Sequence, residues 1–216
     1  MKLLSAPLSM FGAKAEIAAL EKDIPVDTEF VPFSLSTFYQ PRHPDVARIN
    51  PKLQVPVLID GDLEIFDSTQ IFEYFEDLKP SPALWPTDLK QRAAARLLEL
   101  KSDEVFFPNV VNLFPNNQTP DHADRTNTSK KEIDAFYDAM DQQLAGQDYL
   151  AGDYSYADVA FYMAQFFASF IGRPMAADHT RLVAWRSRVG ERPAVKQVVG
   201  AMRTYLADNG IPTDGF

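Results

Sequence analysis

Asp67 and Ser68 stand where binding chemistry is readily built, closing the apolar run LEIF and opening a helical pattern whose apolar positions Ile71, Phe72, Phe75 and Leu78 recur at helical spacing. A helix N-terminus carries N–H groups without intrahelical partners, which can hold a carboxylate, and an acidic side chain beside them can pair with an ammonium. In structural terms alone Asp67 is an N-cap with Gln70 in the N3 place of a capping box, and the two roles are compatible. Just upstream, Val55-Pro56-Val57 heads the run VPVLI and puts a proline where a strand should be. Proline has no N–H for a ladder and is confined to strand starts, edges and bulges. Two readings stay open, a trans proline at the first residue of a strand or a cis bond in a tight turn. Asp60-Gly61 between VPVLI and LEIF signals a β-hairpin.

Other chemistries are excluded by what the chain lacks. None of its 216 residues is cysteine, so disulfides, thiolate zinc sites and a protein-thiol redox cycle are ruled out. His43, His122 and His179 are too dispersed to read as a metal set and are expected to be surface or loop residues. There is no phosphate-binding glycine loop, internal repeat or low-complexity tract. The net charge of −9 and the pI near 4.8 argue against nucleic acid or an anionic membrane as main partner, because polyanions need a basic footprint. No signal pattern opens the chain, and the apolar stretch at residues 157–171 is broken by Asp158 and Gln165, so a cytoplasmic protein with no membrane span is expected. With 46% hydrophobic residues the chain can build a substantial core.

The elements that must position Asp67 and Pro56 follow from patterning. Residues 2–6 read as a strand, residues 10–22 as a helix with Ile17 and Leu20 on its apolar face, and residues 26–33 as a second strand. Residues 33–51 read as a loop with a short helix near 45–49. With the hairpin and the helix after it the order is β-α-β-α-β-β-α. Lys79-Pro80-Ser81-Pro82 breaks this pattern, and Trp85-Pro86-Thr87-Asp88 restarts it with a helix cap, which places a linker at residues 79–87. Beyond it only helices are expected: residues 89–112, residues 129–144 after a polar loop at 115–128, a buried helix introduced by a Ser155/Asp158 capping box, and two last helices near 178–190 and 192–208.

The Asn-Pro-x-x-x-Val-Pro turn at residues 50–56, the hairpin and the acidic-Ser pair together resemble the glutathione S-transferase family, and the likeness extends over almost the whole chain. Tyr149-Leu150-Ala151-Gly152 and Ser155-Tyr156-Ala157-Asp158 are similar to the family's L-x-G-x-x-S-x-A-D element, about one residue shorter. The resemblance implies an α/β thioredoxin-like N-terminal domain, residues 1–80, and an all-α helical-bundle C-terminal domain, residues 87–216. It implies a cis Val55–Pro56 bond, with the Val55 backbone pairing with the cysteinyl unit of glutathione and Asp67 and Ser68 holding the γ-glutamyl end. Asp67 stands where the family commonly has Glu, one methylene longer.

By the same resemblance, the family's Ser-Pro-Phe-x-x-(basic)-x-x-Ile-Ala pattern places Ser9 on the active serine and Lys14 on the basic position, with Met10 in place of the usual proline. Ser5 is the competing serine, and Ser9 also reads as a plain N-cap. A thiol titrates at about 8.5, and a site that lowers this by roughly two units contributes about 2.7 kcal/mol to the thiolate. Ser9 would donate its hydroxyl proton to that sulfur without acting as a nucleophile, since no histidine lies nearby in sequence to activate it. Gln54 aligns with a polar residue that touches the tripeptide backbone, and Arg42 or Lys52 would meet its glycyl carboxylate. Phe11, with Phe107 or Phe114, would line the pocket of a small apolar electrophile. The implied protein is a homodimeric glutathione transferase in detoxification, with glutathione as co-substrate and no metal. Phe33, Phe38 and Tyr39 are candidates for packing on a partner subunit. Relatives working through a cysteine are excluded; dehalogenation, ether cleavage or a non-catalytic binding role on the same fold are the alternatives.

Overall fold

A computed structural model describes residues 1–117 and 123–213. The first elements are β1 (Lys2–Ser5), α1 (Met10–Glu21), β2 (Asp27–Phe30), α2 (Pro44–Ile49), the hairpin β3 (Val57–Asp60) and β4 (Leu63–Phe66), and α3 (Ser68–Leu78). This is the expected order, and the fold is that of a thioredoxin-like unit followed by a helical one. The four strands form one mixed sheet in the order β2-β1-β3-β4, with β1 parallel to β2 and antiparallel to β3, and β3 antiparallel to β4. Gly61 turns the hairpin at φ 63°, a conformation that glycine adopts without steric cost.

The periodicities are only partly used. Ile17, Ile71, Phe72 and Phe75 are fully buried, each such side chain worth about 1.5–3 kcal/mol. Leu20 and Leu78, expected on the same apolar faces, are 39% and 50% exposed. Both fall in the last turn of their helix, beyond the packed stretch. β2 is half the expected length and largely exposed, as befits a sheet edge. Lys22 caps the C-terminus of α1 fully buried, its ammonium 2.6 Å from Glu76 on α3 and 2.8 Å from the Pro82 carbonyl.

The remaining helices are α4 (Leu89–Lys101), α5 (Phe107–Asn112), α6 (Ala123–Gln143), α7 (Tyr156–Phe170), α8 (Thr180–Gly190) and α9 (Pro193–Asp208), with one π-helical turn, Ser102–Phe106, between α4 and α5. The expected helix over 89–112 is therefore two helices joined by a wider turn. The helix expected from Ser129 starts six residues earlier, at Ala123, so only part of the polar stretch 115–128 is loop; its residues 118–122, His122 among them, lie outside the described residues. Asp88 caps α4 through the N–H groups of Lys90 and Gln91, both at 3.0 Å.

By packing, the chain forms two compact units. The first joins residues 1–83 to residues 193–213, so α9 packs on α1 although it follows the other helices in sequence. The second, residues 84–192, is built around α7, nearly every residue of which is buried. There Phe161 stacks on Trp185 at 5.3 Å and meets Phe106 and Tyr137 edge-on or tilted. Asp158 lies fully inside, accepting from the amides of Leu150 at 3.0 Å and Ser155 at 2.9 Å and from the Trp185 indole at 2.8 Å. Burial pushes its carboxyl up, against the pull of those donors.

Candidate functional site

The strand register brings three chain segments to one end of the sheet. Leu4 pairs with Val57 and Val57 with Phe66, so the end of β1, the residues before β3 and the residues after β4 lie side by side. Ser5 and the loop to Ser9, then Val55-Pro56, then Asp67-Ser68 thus share one edge. The Val55–Pro56 bond is cis, and Pro56 sits just before the strand rather than in its ladder.

Asp67 caps α3 as its residue type predicts, accepting from the N–H groups of Thr69 at 3.0 Å and Gln70 at 3.3 Å, both on Oδ1. Its backbone is at φ 80°, ψ 128°, a region that non-glycine residues avoid at a cost of about 1–3 kcal/mol and that tends to persist at binding sites. Ser68, the first helical residue, is buried, while the Asp67 side chain is exposed at the helix mouth.

The segment leading to Val55 is pinned from within. Asn50 donates from its side chain to the Gln54 carbonyl at 2.6 Å and accepts from the Lys52 amide at 2.9 Å, and Leu53 takes a left-handed φ of 58°. The Arg42 guanidinium donates to the Leu53 carbonyl at 2.7 Å, which fixes this cation next to Gln54 and Val55. The side chains of Gln54 and Lys52 are exposed.

Ser9 is the N-cap of α1, 4% exposed, its oxygen accepting from the Gly12 amide at 3.1 Å. That leaves its proton to donate. The Tyr39 phenol lies near enough to feel this hydroxyl: burial raises its pKa and the Ser9 side chain lowers it. Tyr39 packs with Phe33 against the cluster of Val31, Val46, Val55 and Val57, so one aromatic ties the Ser9 hydroxyl to the Val55 segment. Phe33 and Tyr39 are partly buried against this cluster, and Phe38 is 38% exposed. No sequence feature marks Tyr39 for this role, because it lies in an irregular stretch without period.

Ser5 is spoken for. It is fully buried and its hydroxyl donates to Glu16 at 2.5 Å. Gly12 lies between the two serines: a Cβ there would come within 2.2 Å of the Ser5 oxygen and 3.2 Å of that of Ser9. Lys14 is fully buried on α1, its ammonium 5.7 Å from the ring centre of half-buried Phe11. Phe107 and Phe114 belong to the helical unit, where Phe107 is nine-tenths buried edge-on against Phe167.

Two of the histidines serve local structure. His43 caps α2 through the Asp45 amide and lies 3.2 Å from Glu29, and His179 stands before α8, 2.8 Å from Asp138. Among the described residues no three His, Asp or Glu side chains gather as metal ligands, and no helix is long and apolar enough to cross a membrane.

Comparison with known proteins agrees with this geometry. Residues 3–83 match the family model described as "Glutathione S-transferase, N-terminal domain", and residues 103–200 the one described as "Glutathione S-transferase, C-terminal domain". The chain is 30% identical over 218 residues to glutathione S-transferase 3 of Zea mays, covering 94% of each chain. It is 27% identical to a stringent starvation protein A homolog of Histophilus somni, over 94% of this chain and 91% of that one. Among solved structures, a glutathione S-transferase domain-containing protein of Marinobacter aquaeolei VT8 superposes with a TM-score of 0.78 at 26% identity, over 90% of this chain and all of that one.

Proposed function

This chain belongs to the glutathione S-transferase family, and from that premise we propose that it joins the thiolate of glutathione to a small apolar electrophile. The observation that carries the reading is the buried hydroxyl of Ser9, whose free proton and position at the N-terminus of α1 suit a sulfur anion. Family membership implies glutathione as co-substrate. Its γ-glutamyl carboxylate would take the N–H groups at the start of α3 with Ser68, and its ammonium would take the exposed carboxylate of Asp67. Its cysteinyl amide would pair with the Val55 backbone beside Pro56, with Gln54 alongside and its glycyl carboxylate within reach of Arg42 or Lys52.

With the tripeptide so held, Ser9 directs its proton to the sulfur. A shift of the thiol from about 8.5 to about 6.5 represents roughly 2.7 kcal/mol in favour of the thiolate. The thiolate attacks an electrophilic carbon, a C–S bond forms, and the leaving group departs with the bond's electron pair. Phe11, half-buried on α1, is proposed as an apolar wall for the electrophile; the protein is proposed to act as a homodimer in the cytoplasm. Dehalogenation or ether cleavage would use the same half-site with another leaving group.

Calorimetric titration with glutathione, followed by conjugation of a chlorodinitrobenzene, tests the reading. Saturable binding and turnover are expected, and absence of binding would overturn it. A binding protein without turnover is the second reading, favoured by the likeness to stringent starvation protein A homologs and by Met10 and Asp67. Binding without conjugation would select it.

A further inference from the structure

One cavity of the first unit is bordered by residues other than those just assigned. Of about 230 Å³, it opens between α1 and α9, and none of Ser9, Val55, Asp67 or Ser68 lines it. An engineered apolar cavity of about 150 Å³ holds benzene, so there is room here for one ring and a short arm. Ala6, Pro7, Ala13, Phe30, Val198 and Met202 give an apolar wall. Among the described residues its ionisable side chains are Glu16, Asp208 and Tyr205, and no lysine, arginine or histidine borders it. An apolar wall with carboxyl groups and no cation suits a molecule with an apolar body and one positive charge.

We propose that this cavity binds a small primary amine with an aromatic or branched alkyl body, its ammonium pairing with the Glu16 carboxylate and its body lying against Ala13, Val198 and Met202. Glu16 is half-buried on α1 and accepts the Ser5 hydroxyl on Oε1. Asp208, exposed at the end of α9, draws cations to the mouth. The Tyr205 hydroxyl donates to the Phe33 carbonyl at 3.4 Å.

Occupancy must depend on pH. Burial raises the Glu16 carboxyl to about 7, against the opposing effect of Ser5. The groups facing it are Ser5 from β1, Tyr205 and Asp208 from α9, and apolar Phe30 from β2. An amine is already a cation at pH 6, whereas Glu16 is neutral there, so binding releases one proton to solvent. Affinity therefore falls by up to about tenfold per pH unit below 7 and levels off above it.

Calorimetry of the full chain with benzylamine, without glutathione, tests this independently of the transferase reading. Binding at pH 8 that weakens at least about tenfold by pH 5.5, is lost in Glu16→Gln and is absent for benzyl alcohol at the same concentrations is the expected result. Ala201→Phe, at an exposed position on the cavity wall, should abolish binding while far-UV dichroism stays native. Equal binding by wild type and Glu16→Gln, a pH-independent affinity, preference for the alcohol, or no benzylamine binding at pH 8 would each overturn the proposal.

Discussion

The hydroxyl of Ser9 lowers the pKa of the Tyr39 phenol while burial raises it, which couples an irregular loop to the first turn of α1. Ser9→Ala removes the donor proposed for the sulfur and should lower kcat/KM for conjugation by about 10²-fold, the scale seen when one anion-stabilising donor is deleted. The thiol of bound glutathione, followed by its ultraviolet thiolate absorbance, should titrate at higher pH. Tyr39→Phe leaves the Ser9 proton in place, so a change of only a few-fold is expected; a loss equal to that of Ser9→Ala would put the donor on Tyr39 instead.

Asp67 trades stability for a placed carboxylate. Its φ of 80° is costly for any side chain, and glycine is a tolerated N-cap. Asp67→Gly should unfold at equal or higher temperature than wild type, with up to about 1 kcal/mol gained, while glutathione affinity drops at least about tenfold. Thermal melts and calorimetry on the same preparation would read both; an unchanged affinity would remove Asp67 from the site.

Glu16 ties stability to pH. Its folded pKa of about 7 lies above its ordinary value of 4.5, so the folded state holds the proton more tightly. Its contribution is fully present below about pH 4.5 and is lost as pH rises through 7, at up to about 1.4 kcal/mol per unit. Against wild type, Glu16→Gln should therefore gain relative stability between pH 5 and pH 8. Equal pH slopes for the two proteins in chemical denaturation would refute this.

Lys22 and Glu76 form a pair in which the ammonium is fully buried. Glu76→Ala leaves that charge without its carboxylate and should cost about 3 kcal/mol, by the rule for breaking one side of a buried pair. The double variant Lys22→Met with Glu76→Ala should recover part of the loss, which a double-mutant cycle in urea would measure.

What could be read ahead of the coordinates is what is local. Asp60-Gly61, the caps at Asp67 and Asp88 and the Ser155–Asp158 pair each act within a few residues, and each folds as its chemistry dictates. Pro56 was legible as an anomaly, and its geometry only through likeness to a family. Contacts made by distant residues left no such trace. Tyr39 sits in an aperiodic loop, and nothing in the spacing of Glu16 or Lys22 marks the one as half-buried and the other as fully buried. Leu20 and Leu78 mislead in the opposite sense: helical spacing continues past the point where a neighbour is available. The start of α6 at Ala123 was hidden because its first turns are polar on every side.

Because α9 packs on α1 while the whole of residues 84–192 intervenes, the order of synthesis matters. At about 5–20 residues per second, a ribosome would release the sheet on the order of ten seconds before the helix that covers it. The helical unit would meanwhile emerge complete. A nascent chain would thus carry an uncovered flank on α1 through most of its translation, and ribosome stalling or C-terminal clipping would strike the sheet-bearing unit made first.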